Sequence, residues 1–215
     1  MGAQGMLLDD GRLHLQHGPI DIVIGADGQP AAVQQSHEAA WQRFRGLLQE
    51  LVGELPALRA PVRGACPVYG VVAQRMWQAV YPYRAAYITP MAAVAGAVAQ
   101  ELAAAYQRPG VRRAWVNDGG DIALHLTAGE RFRVGLFADL DQWPRALAAR
   151  GLAVDGVFDV GHDSPVRGVA TSGWKGRSFS LGIADSVTVL AATAAQADAA
   201  ATVIGNAVDL PHAGI

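Results

Sequence analysis

Cysteine is almost missing from this chain. Cys66 stands alone in 215 residues, so neither an intrachain disulfide framework nor a cysteine-built zinc site can form. Cys66 is expected to be a buried small hydrophobe, and such sparing use of cysteine suits a reducing, cytoplasmic setting. A surplus of one charge is missing too: 17 Lys and Arg face 19 Asp and Glu, a formal charge of -2. No basic excess is available to neutralise a phosphate backbone, which argues against nucleic acid as a main partner. Long apolar runs are also missing. The most apolar stretches, 91–105 and 187–205, are alanine-rich, interrupted by Gly, Gln, Asp or Glu, and short of a membrane span. The opening MGAQGMLLDDGRLHLQHG has no cationic region leading into an apolar run, so no signal peptide is expected. Met6 stands where a myristoylation motif requires Ser or Thr.

What is present is a chain at 51% hydrophobic content, enough to bury a substantial core as one large domain or two small intertwined halves. We take it as one domain over 1–215. Leu13, Leu15, Ile20, Ile22 and Ile24 alternate around a His-Gly-Pro turn, predicting a hairpin, and 25–28 reads as a turn. Residues 35–55 carry Trp41, Phe44, Leu47, Leu48 and Leu51 at helical spacing, ending before Pro56. A proline-containing loop over 56–70 follows, then a helix over 71–80 and an aromatic cluster of Tyr81, Tyr83 and Tyr87. In ITPMAAVAGAVAQELAAAY, Thr89 is placed to cap a helix with Pro90 at its first position. Its small face of Ala92, Ala93, Gly96 and Ala97 admits another backbone or a ligand closely. RRAWVNDGGDIALHL reads as a hairpin and RFRVGLFA as a third strand. Residues 142–150 read as a helix, and a strand over 186–190 leads to a helix capped by Thr193 with Gln196 three residues on.

Three constellations could carry chemistry. The turn Asn117, Asp118, Gly119, Gly120, Asp121 is a hairpin connection on the plainest reading, since these residues tolerate positive φ. On a functional reading, the bare glycines admit a ring or ribose and the carboxylates accept its hydrogen bonds. The loop Ala170, Thr171, Ser172, Gly173, with Lys175, Gly176 and Arg177 beyond it, offers hydroxyls, free backbone and two cations suited to phosphate. It lacks a P-loop ending, so a solvent-exposed turn stands beside that reading. Asp198 and Thr202, one helical turn apart, could share a hard cation, or serve only their own helix. The six histidines show no metal-binding spacing. His125 is expected to face outward from a strand, and His162 beside Asp163 offers a weak acid–base pairing.

PMAAVAGAVAQE at 90–101, NDGGDIAL at 117–124, TSGWKGRSFSLGIADSVTVLA at 171–191 and ADAAATVIGNAV at 197–208 together resemble the UPF0280 group. That group is related to the ApbE proteins, magnesium-dependent enzymes that cleave FAD and transfer FMN to a protein threonine. The resemblance implies an α+β fold of the ApbE type, with antiparallel or mixed sheets packed on alanine-rich helices. It implies that Asn117, Gly119, Gly120 and Asp121 line a flavin or nucleotide site opposite Thr171, Ser172 and Gly173, and that Asp198 and Thr202 ligate Mg²⁺. The family's His-Ile-Ile-Asp-Pro stretch is replaced here by WKGRSFSLGIAD, removing the expected acid–base histidine. The expectation is therefore a flavin-nucleotide protein (FAD or FMN), with Mg²⁺-dependent cleavage or FMN transfer as one outcome. A non-catalytic carrier or sensor of a flavin, pterin or other heteroaromatic metabolite is the other. A structural partner in a complex is a third reading, favoured by an exposed apolar patch at Tyr81, Tyr83 and Tyr87. A homo-oligomer is left open.

Overall fold

The computed structural model describes residues 2–136, 154–174 and 180–210. The predicted helix over 142–150 and the side chains of Lys175 and Arg177 lie outside them. Alternating apolar residues build a seven-stranded antiparallel sheet in the order β1-β2-β3-β4-β5-β8-β9. Its strands are β1 (Gln4–Leu7), β2 (Leu13–His17), β3 (Ile20–Gly28), β4 (Val111–Asp118), β5 (Asp121–Leu126), β8 (Gly168–Ser172) and β9 (Val187–Ala191). A separate antiparallel ribbon joins β6 (Arg131–Leu136) to β7 (Gly156–Gly161).

The α+β expectation holds, with every described strand pairing antiparallel. The helices are α1 (Pro30–Gly53), the single turn α2 (Leu55–Leu58), α3 (Val71–Val80), α4 (Val94–Ala103) and α5 (Ala194–Ala207). Strand pleating divides the side chains between two faces. Ile22, Ile24, Ala114, Val116 and Ala123 join Phe44, Met76, Val98 and Leu102 in the core under the helices. Leu124, Leu126 and Val169 pack with Val160, Phe132 and Trp115 on the opposite face, where the ribbon lies. No helix among the described residues is long and apolar enough to cross a membrane.

Small residues set the closest approaches. A Cβ on Gly168 would collide with the backbone of Thr193 and Ala194, and one on Gly96 with the Ala194 carbonyl. Helix α5 is thereby seated against both β8 and α4, with Ala197 and Ala201 on Ala170.

Several expectations change. Residues 25–28 are not a turn but the end of β3, with a register shift at Asp27/Gly28. Gly25 is there because the Trp115 indole of the neighbouring strand occupies the space of its missing side chain. Helix α1 begins five residues early, at Pro30, which its lost N–H permits. Thr89 makes no side-chain cap; Pro90–Ala93 form a 3-10 turn before α4. Cys66 is exposed, because the proline-rich loop holds it off the core. His125 does not face outward: it shares the helix-side face with Ala123, and its Nε2 is buried with no hydrogen-bond partner among the described residues. Burial and the nearby Arg167 charge lower its pKa, against a Val111 backbone hydrogen bond that raises it. The Thr193 cap is as expected, its hydroxyl accepting from the Gln196 N–H at 3.3 Å.

Glycine space predicts stability. Gly168→Ala is expected to cost about 1–3 kcal/mol by wedging α5 from β8. Gly46→Ala, in open space on α1, should stabilise by roughly 0.5–1 kcal/mol. Urea unfolding of both variants checks the contrast; equal effects would contradict it.

Candidate functional site

Strands β4 and β5 meet in a two-residue turn, with Asp118 opposite Asp121. Gly119 and Gly120 supply φ of 65° and 116°, values that favour glycine. The Gly120 N–H donates to Asn117 Oδ1 at 2.8 Å, so that side-chain oxygen closes the turn. Asn117 follows Trp115 onto the ribbon side of the sheet. Asp118 and Asp121, alternating with Val116 and Ala123, face the helices instead. No contact fills the space where a Gly120 side chain would stand.

The first register pair between β5 and β8 is Ile122 with Val169. Past it the Asp121 carboxylate bridges the two strands, accepting from the Thr171 N–H at 3.2 Å. The two loops expected to face one another are therefore joined directly. Thr171 Oγ1 lies 2.9 Å from Thr188 Oγ1 across β8 and β9. Ser172 is buried against Gly205 of α5. A Gly173 side chain would collide with the Asp185 backbone, so this glycine serves a backbone crossing.

Asp198 comes from α5 to the start of α4, where the Gly96 N–H donates to its Oδ2 at 2.9 Å. It satisfies a first-turn donor of α4, whose own capping position, Ala93, has no side chain that could accept it. Thr202 Oγ1, one turn along α5, lies 3.5 Å from the Ala92 carbonyl. Asp198 and Thr202 thus reach the same short segment, Ala92 to Gly96, from one helix face.

Electrostatics link these acids. Burial pushes the Asp121 pKa up to about 7, against the Thr171 N–H that lowers it. Asp198 is raised well above the usual carboxylate range, first by burial and then by repulsion from Asp121 and Asp118, against hydrogen bonds from Gly96 and Ala95. Among the described residues no Lys, Arg or His pairs with Asp121 or Asp198. Nor do three His, Cys, Asp or Glu side chains there close to metal-binding spacing. The oxygens on offer are a carboxylate, a hydroxyl and a carbonyl, a set suited to a hard cation such as Mg²⁺. Carboxyls held protonated by their surroundings, with no described cation beside Asp121 or Asp198, would ionise on meeting a divalent cation, which gives such a cation a reason to bind.

Sequence reading left Asp118 outside the named site, although the period of two from Ala114 and Val116 places it inward. The Ala92 carbonyl and Gly96 N–H carry no side-chain signature. A separate cleft of about 730 Å³, lined by Leu13, His37 and Trp41 among others, opens between α1 and β1–β3. It lies toward Gly28 and Arg112, at the opposite end of β3 and β4 from Asp118.

A family profile described as AbpE bacteria matches residues 5–215. The chain belongs to this family. A UPF0280 protein of Methanopyrus kandleri is 38% identical over 194 residues, covering 86% of this chain and 69% of that protein. One from Methanothermobacter thermautotrophicus is 39% identical over 129 residues, 60% of this chain and 46% of its own length. One from Archaeoglobus fulgidus is 35% identical over 138 residues, 64% and 50% respectively. The chain spans about half to two-thirds of these relatives. This AbpE-family chain is thus also a UPF0280 protein, related to ApbE.

The raised Asp121 pKa fixes a pH dependence in this AbpE-family site. A carboxyl whose folded pKa exceeds its unfolded value contributes fully below the unfolded pKa and loses that contribution as pH rises through the folded one. Without divalent cations, Asp121→Asn should match the wild type at about pH 4 and melt several degrees higher at about pH 8. Thermal melts in chelator check this; a difference independent of pH would contradict the buried, raised carboxyl.

Proposed function

We propose that this chain binds a flavin nucleotide, FAD or FMN, in the space between the β4–β5 turn and the Thr171–Gly173 loop, with a divalent cation at Asp198 and Thr202. The observation that carries the reading is the junction of Asp121 with Thr171 beside a partly buried Asp198, itself bonded to the Gly96 N–H at the start of α4. Family membership supports it, as the ApbE proteins act on FAD with magnesium.

Each group has a part suited to its chemistry. Asp121, bonded to one backbone N–H, has a second oxygen for a ribose hydroxyl or ring N–H. The open face of Gly120 admits a planar group against bare backbone. Asp198, Thr202 and the Ala92 carbonyl would hold Mg²⁺, which when bound supplies charge neutralisation at a diphosphate. Ser172, on the helix side with Ala170, offers a hydroxyl along the opposite wall, whereas Thr171 contributes its backbone, its own hydroxyl meeting Thr188 on the other face of the sheet. The ApbE type of fold is the architecture this reading assigns to the sheet and its alanine-rich helices.

Turnover is a narrower proposal than binding. Residues 174–185 contain no histidine, and that observation favours a second reading, a carrier or sensor that binds a flavin, pterin or other heteroaromatic ring without cleaving it. Calorimetric titration of FAD with and without Mg²⁺, followed by chromatography for AMP and FMN, separates the two. Magnesium-dependent binding with AMP release is the enzyme; binding without products is the carrier. Asp198→Ala should abolish the magnesium dependence, and Asp121→Ala should weaken nucleotide binding by about 1–3 kcal/mol. FAD binding unchanged in both variants would overturn the site.

A further inference from the structure

The 46 residues from 55 to 100 contain no Asp or Glu, yet hold four arginines, four of the chain's five tyrosines and Trp77. All 19 acidic residues lie outside this segment. The fold gathers part of it into one surface. The Val62 N–H donates to the Ile88 carbonyl at 2.9 Å, which sets exposed Arg63 and Tyr87 on adjoining loops. Tyr87 is 76% exposed. Three residues before it, the Arg84 guanidinium lies 4.0 Å from the centre of the Tyr81 ring, and Tyr81 stacks on Trp77 at 4.4 Å. Arg84 Nη1 also donates to the Tyr81 carbonyl at 3.0 Å.

Arg84 is therefore held in place before any ligand arrives, which lowers the ordering cost of using its remaining donors. Tyr81 and Tyr83 are partly buried against the core, so the surface is not the apolar tyrosine patch that a vestigial scaffold would present. It is a cationic surface with aromatic support, and Arg, Tyr and Trp are the side chains that dominate protein–protein hot spots.

We propose that the face carrying Arg63, Arg84 and Tyr87 docks a short, extended acidic segment of another protein. Charge complementarity selects an anion: among the described residues no carboxylate pairs with Arg63 or Arg84, and the acids that touch the segment from outside are already engaged, Glu54 by the Tyr69 and Gly70 N–H groups and Glu101 by Arg43 and Arg75. Confinement of the patch selects a short protein segment over a nucleic acid: the rest of the chain carries 13 Lys and Arg against 19 Asp and Glu, and a long polyanion would meet that negative remainder. From Tyr87 the chain runs directly into the 3-10 turn whose Ala92 carbonyl meets Thr202. A docked segment would reach the margin of the candidate site. This inference stands without the flavin reading.

The test uses fluorescence anisotropy with the full chain. Its probes are a labelled peptide of about ten residues alternating Asp and Glu with Leu, its Asn/Gln counterpart, and a single-stranded oligothymidylate of similar length. The acidic peptide should bind about tenfold or more tightly than the neutral one at about 50 mM salt and lose that advantage as salt rises. Arg63→Glu and Arg84→Glu, singly and together, should each weaken it, while Arg45→Glu, on the exposed face of α1, leaves it unchanged. Arg63→Glu keeps the test falsifiable if Arg84→Glu disturbs the stack, because no stacking contact involves Arg63. Equal binding of acidic and neutral peptides, equal losses at Arg45 and Arg63, or tighter binding of the oligonucleotide would each overturn the proposal.

Discussion

The carboxyl of Asp198, partly buried at the start of α4, is the constraint around which the site side of the molecule is arranged. A charge removed from water needs compensation, and here the described compensation is backbone N–H groups of a helix N-terminus. That bond can form only if α5 lies almost in contact with α4. Gly96 makes the approach possible, since a side chain there would meet the Ala194 carbonyl and stand 2.8 Å from Asp198 Cβ. Gly168 does the same between β8 and α5. The alanine-rich character of this region follows from the spacing, because larger side chains would hold the elements apart.

Helix α4 is anchored in turn on its far side. Glu101 accepts from Arg43 at 2.7 Å and from Arg75 at 2.9 Å, and Arg75 also donates to the Ala97 carbonyl at 3.2 Å. Burial alone would raise the Glu101 pKa, but hydrogen bonds from the two arginines hold it below the ordinary value. The contrast with Asp198 is informative. Both are partly buried acids of neighbouring helices, yet Glu101 has its cations in the fold whereas Asp198 faces further acids. A fold that satisfies one carboxylate with two arginines, while directing others toward each other, leaves room for a cation from outside.

Much of the scaffold was legible in the sequence because it depends on local rules. The period-two pattern around Gly18 gave the first hairpin, Asn-Asp-Gly-Gly gave the second, and Thr193 with Gln196 marked the start of α5. What escaped depends on contacts distant in the chain. Gly25 resembled a turn residue until Trp115 was seen to occupy its side-chain space, and Thr89 looked like the cap of a helix that Asp198 supplies from 102 residues away. His125 read as outward because alternation indicates two faces without indicating that helices cover one and a ribbon the other. For the candidate site, the family motifs pointed to the two loops and the Asp198–Thr202 pair, but the direct bond between Asp121 and Thr171 and the proximity of the Ala92 carbonyl are products of the fold.

We propose that Asp198, Thr202 and the Ala92–Gly96 segment form a receptive cation site beside a nucleotide. Anomalous diffraction from crystals grown with Mn²⁺ and FAD tests this most directly, because it locates the ion independently of any activity. The account predicts an anomalous peak coordinated by Asp198 and the Thr202 hydroxyl, with the nucleotide reaching from it toward Asp121 and Gly120. Well-ordered crystals with FAD bound and no peak at Asp198, or with the ion held by other residues, would contradict it.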